Sequence, residues 1–84
     1  MDLFDILEIP KESSETDIKK AYRKLAKKWH PDRNKKKNAK EKFQQINSAY
    51  NILINRQSRE KYQKMTQIEK NNFINFLNKI FKGS

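Results

Sequence analysis

Apolar residues return along this chain at helical intervals, in clusters separated by polar or proline-containing joints. Leu3, Phe4, Ile6 and Leu7 make the first cluster. Asp2 stands before them as a capping residue, and Pro10 disfavours helical geometry at Ile9, which predicts a short helix closing there. The stretch KESSETD reads as a connecting loop. A second helix opens at Ser14, with Asp17 three residues on as in a capping box. Ile18, Tyr22, Leu25 and Trp29 then follow at spacings of four, three and four, which places them on one face. Ala21 and Ala26 flank that face and predict close approach of another helix. The opposite side is basic: Lys20, Arg23, Lys24 and Lys27, with Lys19 and Lys28 at its margins. Pro31 predicts a stop near Trp29 or His30.

The pattern resumes after the polar run PDRNKKKN. Asn38 with Glu41 reads as a cap for a third helix over about Ala39–Ile54, with Phe43, Ile46, Tyr50 and Leu53 inward. Two helices of similar length joined in this way predict an antiparallel hairpin, whose facing stripes supply most of the core. RQSREKYQK predicts a short fourth helix anchored by Tyr62. Thr66 with Glu69 opens a fifth, to about Phe81, with Phe73, Phe76, Leu77 and Ile80 on one face, widened by Ile74 and Phe81. The fold class is all-α.

Composition narrows the chemistry. The chain has 84 residues, enough for one small domain, and 35% of them are hydrophobic. One glycine and two prolines favour few, long helices over many strands. There is no cysteine, hence no disulfide, no thiolate nucleophile and no cysteine-based zinc site, and a single histidine cannot assemble a multi-histidine site. No metal or cofactor is expected. No apolar run is long enough for a signal peptide or a membrane span. The expected location is intracellular, with the cytoplasm as the default compartment. Twenty Lys and Arg against ten Asp and Glu give a net charge of +10. Such a chain is drawn to something negative, which charge alone does not name.

The chemistry concentrates in KKWHPDRN, which holds the one histidine, His30, beside Pro31 and Asp32. Alone, His-Pro-Asp is a helix stop followed by a turn. In context it resembles something more specific. LFDILEIP, DIKKAYRKLAKKWHPDRN, KFQQINSAYNIL and SREKY follow one another in the order of the J-domain, the DnaJ-like module of heat-shock protein 70 co-chaperones. The resemblance runs from about residue 2 to 64. It implies a four-helix J-domain over 1–64, with helices II and III as the hairpin. Residues 65–84 form a fifth amphipathic helix, either an extension packed back on the domain or the start of a further region. The chain departs from the family pattern at Glu8, usually Gly; at Asn55-Arg56, usually Asp-Pro; and at Gln63 after Tyr62, usually Asp. A Gly/Phe-rich linker and a zinc-binding cysteine module, found in the largest members, are absent. Two readings stay open: a J-domain-only protein, or a piece of a longer one.

The resemblance also implies a partner and a surface. The partner is a heat-shock protein 70 chaperone in its ATP-bound form, whose ATP hydrolysis the domain stimulates to promote client capture. The domain itself is not an enzyme. His30, Pro31 and Asp32 fall on the family's signature: Asp32 as the ionic contact with a partner arginine, Pro31 fixing the loop, His30 orienting it. Lys19, Lys20, Tyr22, Arg23, Lys24 and Lys27 match the helix face that meets an acidic patch. Arg33, Asn34 and Phe43 complete the footprint. The spacing of Tyr22 puts its ring at the edge of the core stripe with its hydroxyl outside. Lys28 and Lys35–Lys37 are read as serving solubility or nonspecific attraction, and Ile18, Leu25, Trp29, Ile46, Tyr50 and Leu53 as core. The serines bear no patterned relation to His30, so no nucleophilic triad is expected.

A helix-turn-helix nucleic-acid module is the rival reading of a basic helical domain. The third helix argues against it, since Lys40, Lys42, Gln44, Gln45, Asn47, Asn51 and Asn55 make no arginine-rich reading face. No specific nucleic acid is expected. The fifth helix admits a client or self-association surface through Phe73, Phe76, Leu77 and Ile80, or a membrane-targeting role.

Overall fold

The computed structural model describes residues 2–83, with side chains through residue 80. Among the described residues there are five helices: α1 (Leu3–Ile6), α2 (Glu15–Trp29), α3 (Ala39–Ile54), α4 (Arg56–Lys64) and α5 (Gln67–Gly83). No helix among the described residues is long and apolar enough to cross a membrane.

Capping explains most boundaries. Asp2 and Asp5 close a reciprocal box on α1, the Asp5 N–H donating to Asp2 Oδ1 at 3.0 Å and the Asp2 N–H to Asp5 Oδ2 at 2.9 Å. Ser14 with Asp17 does the same for α2, and Thr66 with Glu69 for α5. The two Thr66 bonds hold the Glu69 carboxyl below its usual range. Asn55 accepts from the Ser58 N–H at 3.0 Å, so at the head of α4 it fills the capping role of the family's usual Asp. Arg56 replaces the proline and pairs with Glu60 one turn on, at 3.1 Å.

Two expected boundaries have other causes. α1 ends at Ile6, not at the residue before Pro10. It stops through a Schellman closure, in which the Ile9 N–H donates to the Phe4 carbonyl at 3.1 Å and the Glu8 N–H to that of Asp5 at 2.9 Å. This closure requires a left-handed residue, and Glu8 takes it at φ 59°. The left-handed region costs a side-chain-bearing residue roughly 1–2 kcal/mol. Glu8→Gly is therefore expected to stabilise the domain by about 0.5–1 kcal/mol net of backbone entropy, read as a higher urea midpoint at unchanged slope. Asn38 precedes α3 but makes no side-chain capping bond, because its backbone (φ −97°, ψ 7°) is not the extended conformation a capping residue needs.

α3 is the hub. α2 lies antiparallel along it, and α1, α4 and α5 pack on it as well. The core joins Leu3, Phe4 and Leu7 of the α1 segment to Ile18 and Leu25 of α2, Ile46, Ala49 and Leu53 of α3, Tyr62 of α4 and Ile74 of α5. Tyr62 is 1% exposed, and its phenolic oxygen accepts from the Leu3 N–H at 3.0 Å. Arg59 returns to the end of α3, donating to the Leu53 carbonyl at 2.8 Å.

Trp29 and Tyr50, expected as core, are half-buried and pack against it at its edge. The apolar arc of α5 is also turned from its expected direction. Ile74 is buried and Phe73 and Leu77 are half-buried, packed on the core, whereas Phe76 and Ile80 are 59% and 50% exposed. Asn78 of α5 accepts from Gln45 Nε2 of α3 at 3.1 Å. Of the four residues expected to offer a client or self-association surface, two thus pack on the domain. Phe81, also counted on that face, lies outside the residues whose side chains are described.

Candidate partner-docking surface at the His-Pro-Asp loop

The loop is built from the end of α2. His30 leaves the helix in an extended conformation (φ −60°, ψ 130°), which a following proline demands. Its carbonyl accepts from the N–H groups of Arg33 and Asn34 at 2.9 and 2.8 Å, closing a tight turn around Pro31-Asp32. The Asn34 amide donates to the Lys28 carbonyl at 3.0 Å and accepts from the Lys36 N–H at 3.0 Å. One of the carbonyls that a helix end leaves without a partner is thereby satisfied. Asn34, expected in the partner's footprint, has its amide engaged within the loop.

His30 is held on two sides. Its Nδ1 accepts from the Asp32 N–H at 3.2 Å. Its ring meets the Phe43 ring edge-on, with centroids 5.2 Å apart. The Asp32 carboxylate lies 3.7 Å from Nδ1, beyond hydrogen-bond distance. Among the described residues the carboxylate accepts no hydrogen bond, and the side chain is 89% exposed. The loop thus offers an anion whose backbone is fixed and whose oxygens are free. Ala26, Lys27, His30, Asp32 and Arg33 line a shallow groove at this point. Ala26 faces this groove half-exposed, instead of serving the close helix approach expected of it.

Lys19, Lys20, Arg23, Lys24 and Lys27 are exposed along α2, and none forms an ion pair among the described residues. Their charge faces solvent uncompensated. Other lysines are engaged differently. Lys28, Lys36 and Lys42 place their ammonium groups 5.9, 5.8 and 5.2 Å from the centre of the Trp29 ring. Two lysines read as serving solubility or nonspecific attraction, Lys28 and Lys36, therefore also cover a half-buried indole.

Tyr22 stacks on Tyr50 with centroids 4.1 Å apart, and its hydroxyl donates to Asn47 Oδ1 at 2.9 Å. The ring lies at the edge of the core, as its spacing suggested, and the hydroxyl is committed to α3. Asn47 is a residue that sequence reasoning passed over as merely polar. Its signal was its position four residues after Phe43, which sets both on one side of α3.

Comparison with known proteins agrees with this architecture. Residues 2–63 match the family model described as DnaJ domain. Chaperone protein DnaJ of Lactobacillus gasseri is 47% identical over 66 residues, covering 79% of this chain and 17% of that protein. DnaJ homolog subfamily C member 16 of Homo sapiens is 49% identical over 61 residues, covering 73% of this chain and 8% of its own length. The chain thus spans only a small part of these relatives. Among solved structures, the J-Trx1 fragment of ERdj5 superposes with a TM-score of 0.75 at 37% identity, over 80% of this chain and 34% of that one. A five-helix fold, a fixed His-Pro-Asp turn after a basic helix, and a match over most of the length converge: the chain belongs to the DnaJ domain family.

Proposed function

We propose that this domain docks on a heat-shock protein 70 chaperone in its ATP-bound form and stimulates its ATP hydrolysis, promoting client capture. The observation that carries the reading is the Asp32 carboxylate, free and exposed on a braced loop, beside an uncompensated basic helix face. A fixed loop presents its charge with little ordering cost on binding. The basic face gives long-range attraction to an acidic patch, and the single anion gives the specific contact. His30, Pro31 and Asp32 with Arg33 form the centre of the footprint. Lys19, Lys20, Tyr22, Arg23, Lys24 and Lys27 form its α2 side, and Asn34 and Phe43 brace it. The domain supplies no catalytic group to the hydrolysis. It acts by binding two states of the chaperone with different free energies, and so shifts the population between them.

Single-turnover ATP hydrolysis by an ATP-loaded heat-shock protein 70 chaperone tests this. Addition of the chain is expected to accelerate hydrolysis saturably. The concentration for half-maximal effect should rise steeply between low and physiological salt, as steering by exposed charges is screened. A folded chain that accelerates none of several such chaperones, at any salt concentration, would sink the reading.

A further inference from the structure

We propose that Asn47 is a positioning residue of the docking surface, which through it crosses the seam from α2 onto α3. This rests on the docking function proposed above. Tyr22 is the one aromatic residue among the basic positions assigned to docking on α2. Its ring cannot settle by burial, because it is only half-buried. Two contacts from α3 settle it instead: the Tyr50 ring stacked at 4.1 Å and the Asn47 Oδ1 that takes its hydroxyl proton at 2.9 Å. The hydroxyl rotor, otherwise free at a half-exposed phenol, then has one orientation, with its lone pairs outward.

The Asn47 amide nitrogen donates no hydrogen bond among the described residues. Its oxygen is committed to Tyr22, so the one bond the Asn47 side chain makes is the one that fixes the phenol. The arrangement repeats along the seam. Phe43 holds His30 and Asn47 holds Tyr22. Phe43 and Asn47 are four residues apart on α3, and Tyr22 and His30 are eight apart along α2. At 1.5 Å rise per helical residue, the two α3 side chains that hold these points stand about 6 Å apart along the helix. A surface read by a rigid partner needs that spacing kept.

The test uses the full chain in the single-turnover assay, titrated to saturation, with thermal melting by circular dichroism. The variants are Asn47→Leu, Tyr22→Phe, their double and Asp32→Asn. Asn47→Leu is expected to raise the half-maximal concentration about three- to tenfold, the range of one hydrogen bond, with the saturating rate and melting temperature kept. Tyr22→Phe should match it, and the double variant should be no worse than either, since both remove one contact. If Asn47→Leu titrates like the native chain while Asp32→Asn fails to stimulate, positioning by Asn47 is wrong and the docking function stands. If Asn47→Leu lowers the melting temperature and the saturating rate together, its role is structural and the proposal is equally overturned. If Asp32→Asn stimulates like the native chain, the docking function falls and the role of Asn47 falls with it.

Discussion

Asp32→Asn should leave the domain folded and abolish its stimulation of ATP hydrolysis. The folded state has little stake in this carboxylate. It is 89% exposed, accepts no hydrogen bond among the described residues, and the turn is held by the Asp32 backbone N–H, which the substitution keeps. Circular dichroism and melting temperature should be unchanged within the small range typical of surface substitutions. The partner's stake is large. Truncating one member of a desolvated, hydrogen-bonded charge pair costs about 2–5 kcal/mol, part of it from leaving the other charge unpaired. That is a loss of about thirtyfold or more in coupling, which takes single-turnover stimulation down to the unstimulated rate. Asparagine keeps the size and shape, so the variant tests the negative charge together with the one acceptor oxygen that becomes an NH2 donor. Undiminished stimulation by the variant would show that the loop is a helix stop and no more.

Tyr62→Ala is the substitution expected to unfold the domain. The side chain is among the largest that are fully buried, tilted against Phe4 at 6.4 Å and Phe73 at 6.3 Å between ring centroids. It therefore ties α4 to both α1 and α5. Removing a buried aromatic costs about 3–5 kcal/mol, a large share of what a domain of this size has. Thermal unfolding followed at 222 nm should show a melting temperature lowered by tens of degrees, or no cooperative transition, at about 4–8 °C per kcal/mol. Tyr62→Phe isolates the hydroxyl. The Leu3 N–H it satisfies belongs to the first turn of α1, where no intrahelical acceptor exists. Leaving that donor unpaired should cost about 1–3 kcal/mol. A variant as stable as the native chain would mean that water replaces the phenol. Burial raises the Tyr62 pKa; the Leu3 N–H opposes this, and Asp2 and Asp5 add to the rise. The raised value sets the sign: the neutral phenol's contribution is whole below the unfolded value, about pH 10, and is lost as pH climbs through the folded value. Alkaline unfolding should therefore weaken in Tyr62→Phe relative to the native chain.

The helices were legible wherever a local rule decides them. Ser14 with Asp17, and Thr66 with Glu69, are pairs whose chemistry is complete within one turn, and both form as expected. The stop before Pro31 is equally local. What could not be read depends on the backbone or on distant neighbours. A left-handed residue is not marked by a glutamate, so only the glycine usual at that position in the family hinted at Glu8, and Pro10 offered a simpler stop nearby. Asn38 has the right chemistry for a cap, but the loop before it delivers the wrong backbone angles. The direction of α5 is set by where Tyr62 and α3 already stand, so its arc could be seen to be apolar but not which part is covered.

The docking residues divide in the same way. The tripeptide and the basic stripe were visible as a resemblance and a periodicity. The bracing was not, because it joins residues remote in sequence: His30 to Phe43, Tyr22 to Asn47, and Lys28 to Asn34 across a turn. A single chain displays which side chains carry charge, and it hides which ones hold those charges still.

The bond between Leu3 and Tyr62 has a topological consequence. These residues are 59 apart in sequence and touch in space, so the segment between them forms a closed ring with its entry and exit at one place. A module of that shape can sit at either end of a longer polypeptide or within it, since the chain enters and leaves the ring side by side and α5 then packs back on α3. The relatives it matches are much longer than this segment, and a ring closed by its own core is the kind of unit that can be moved between such architectures intact.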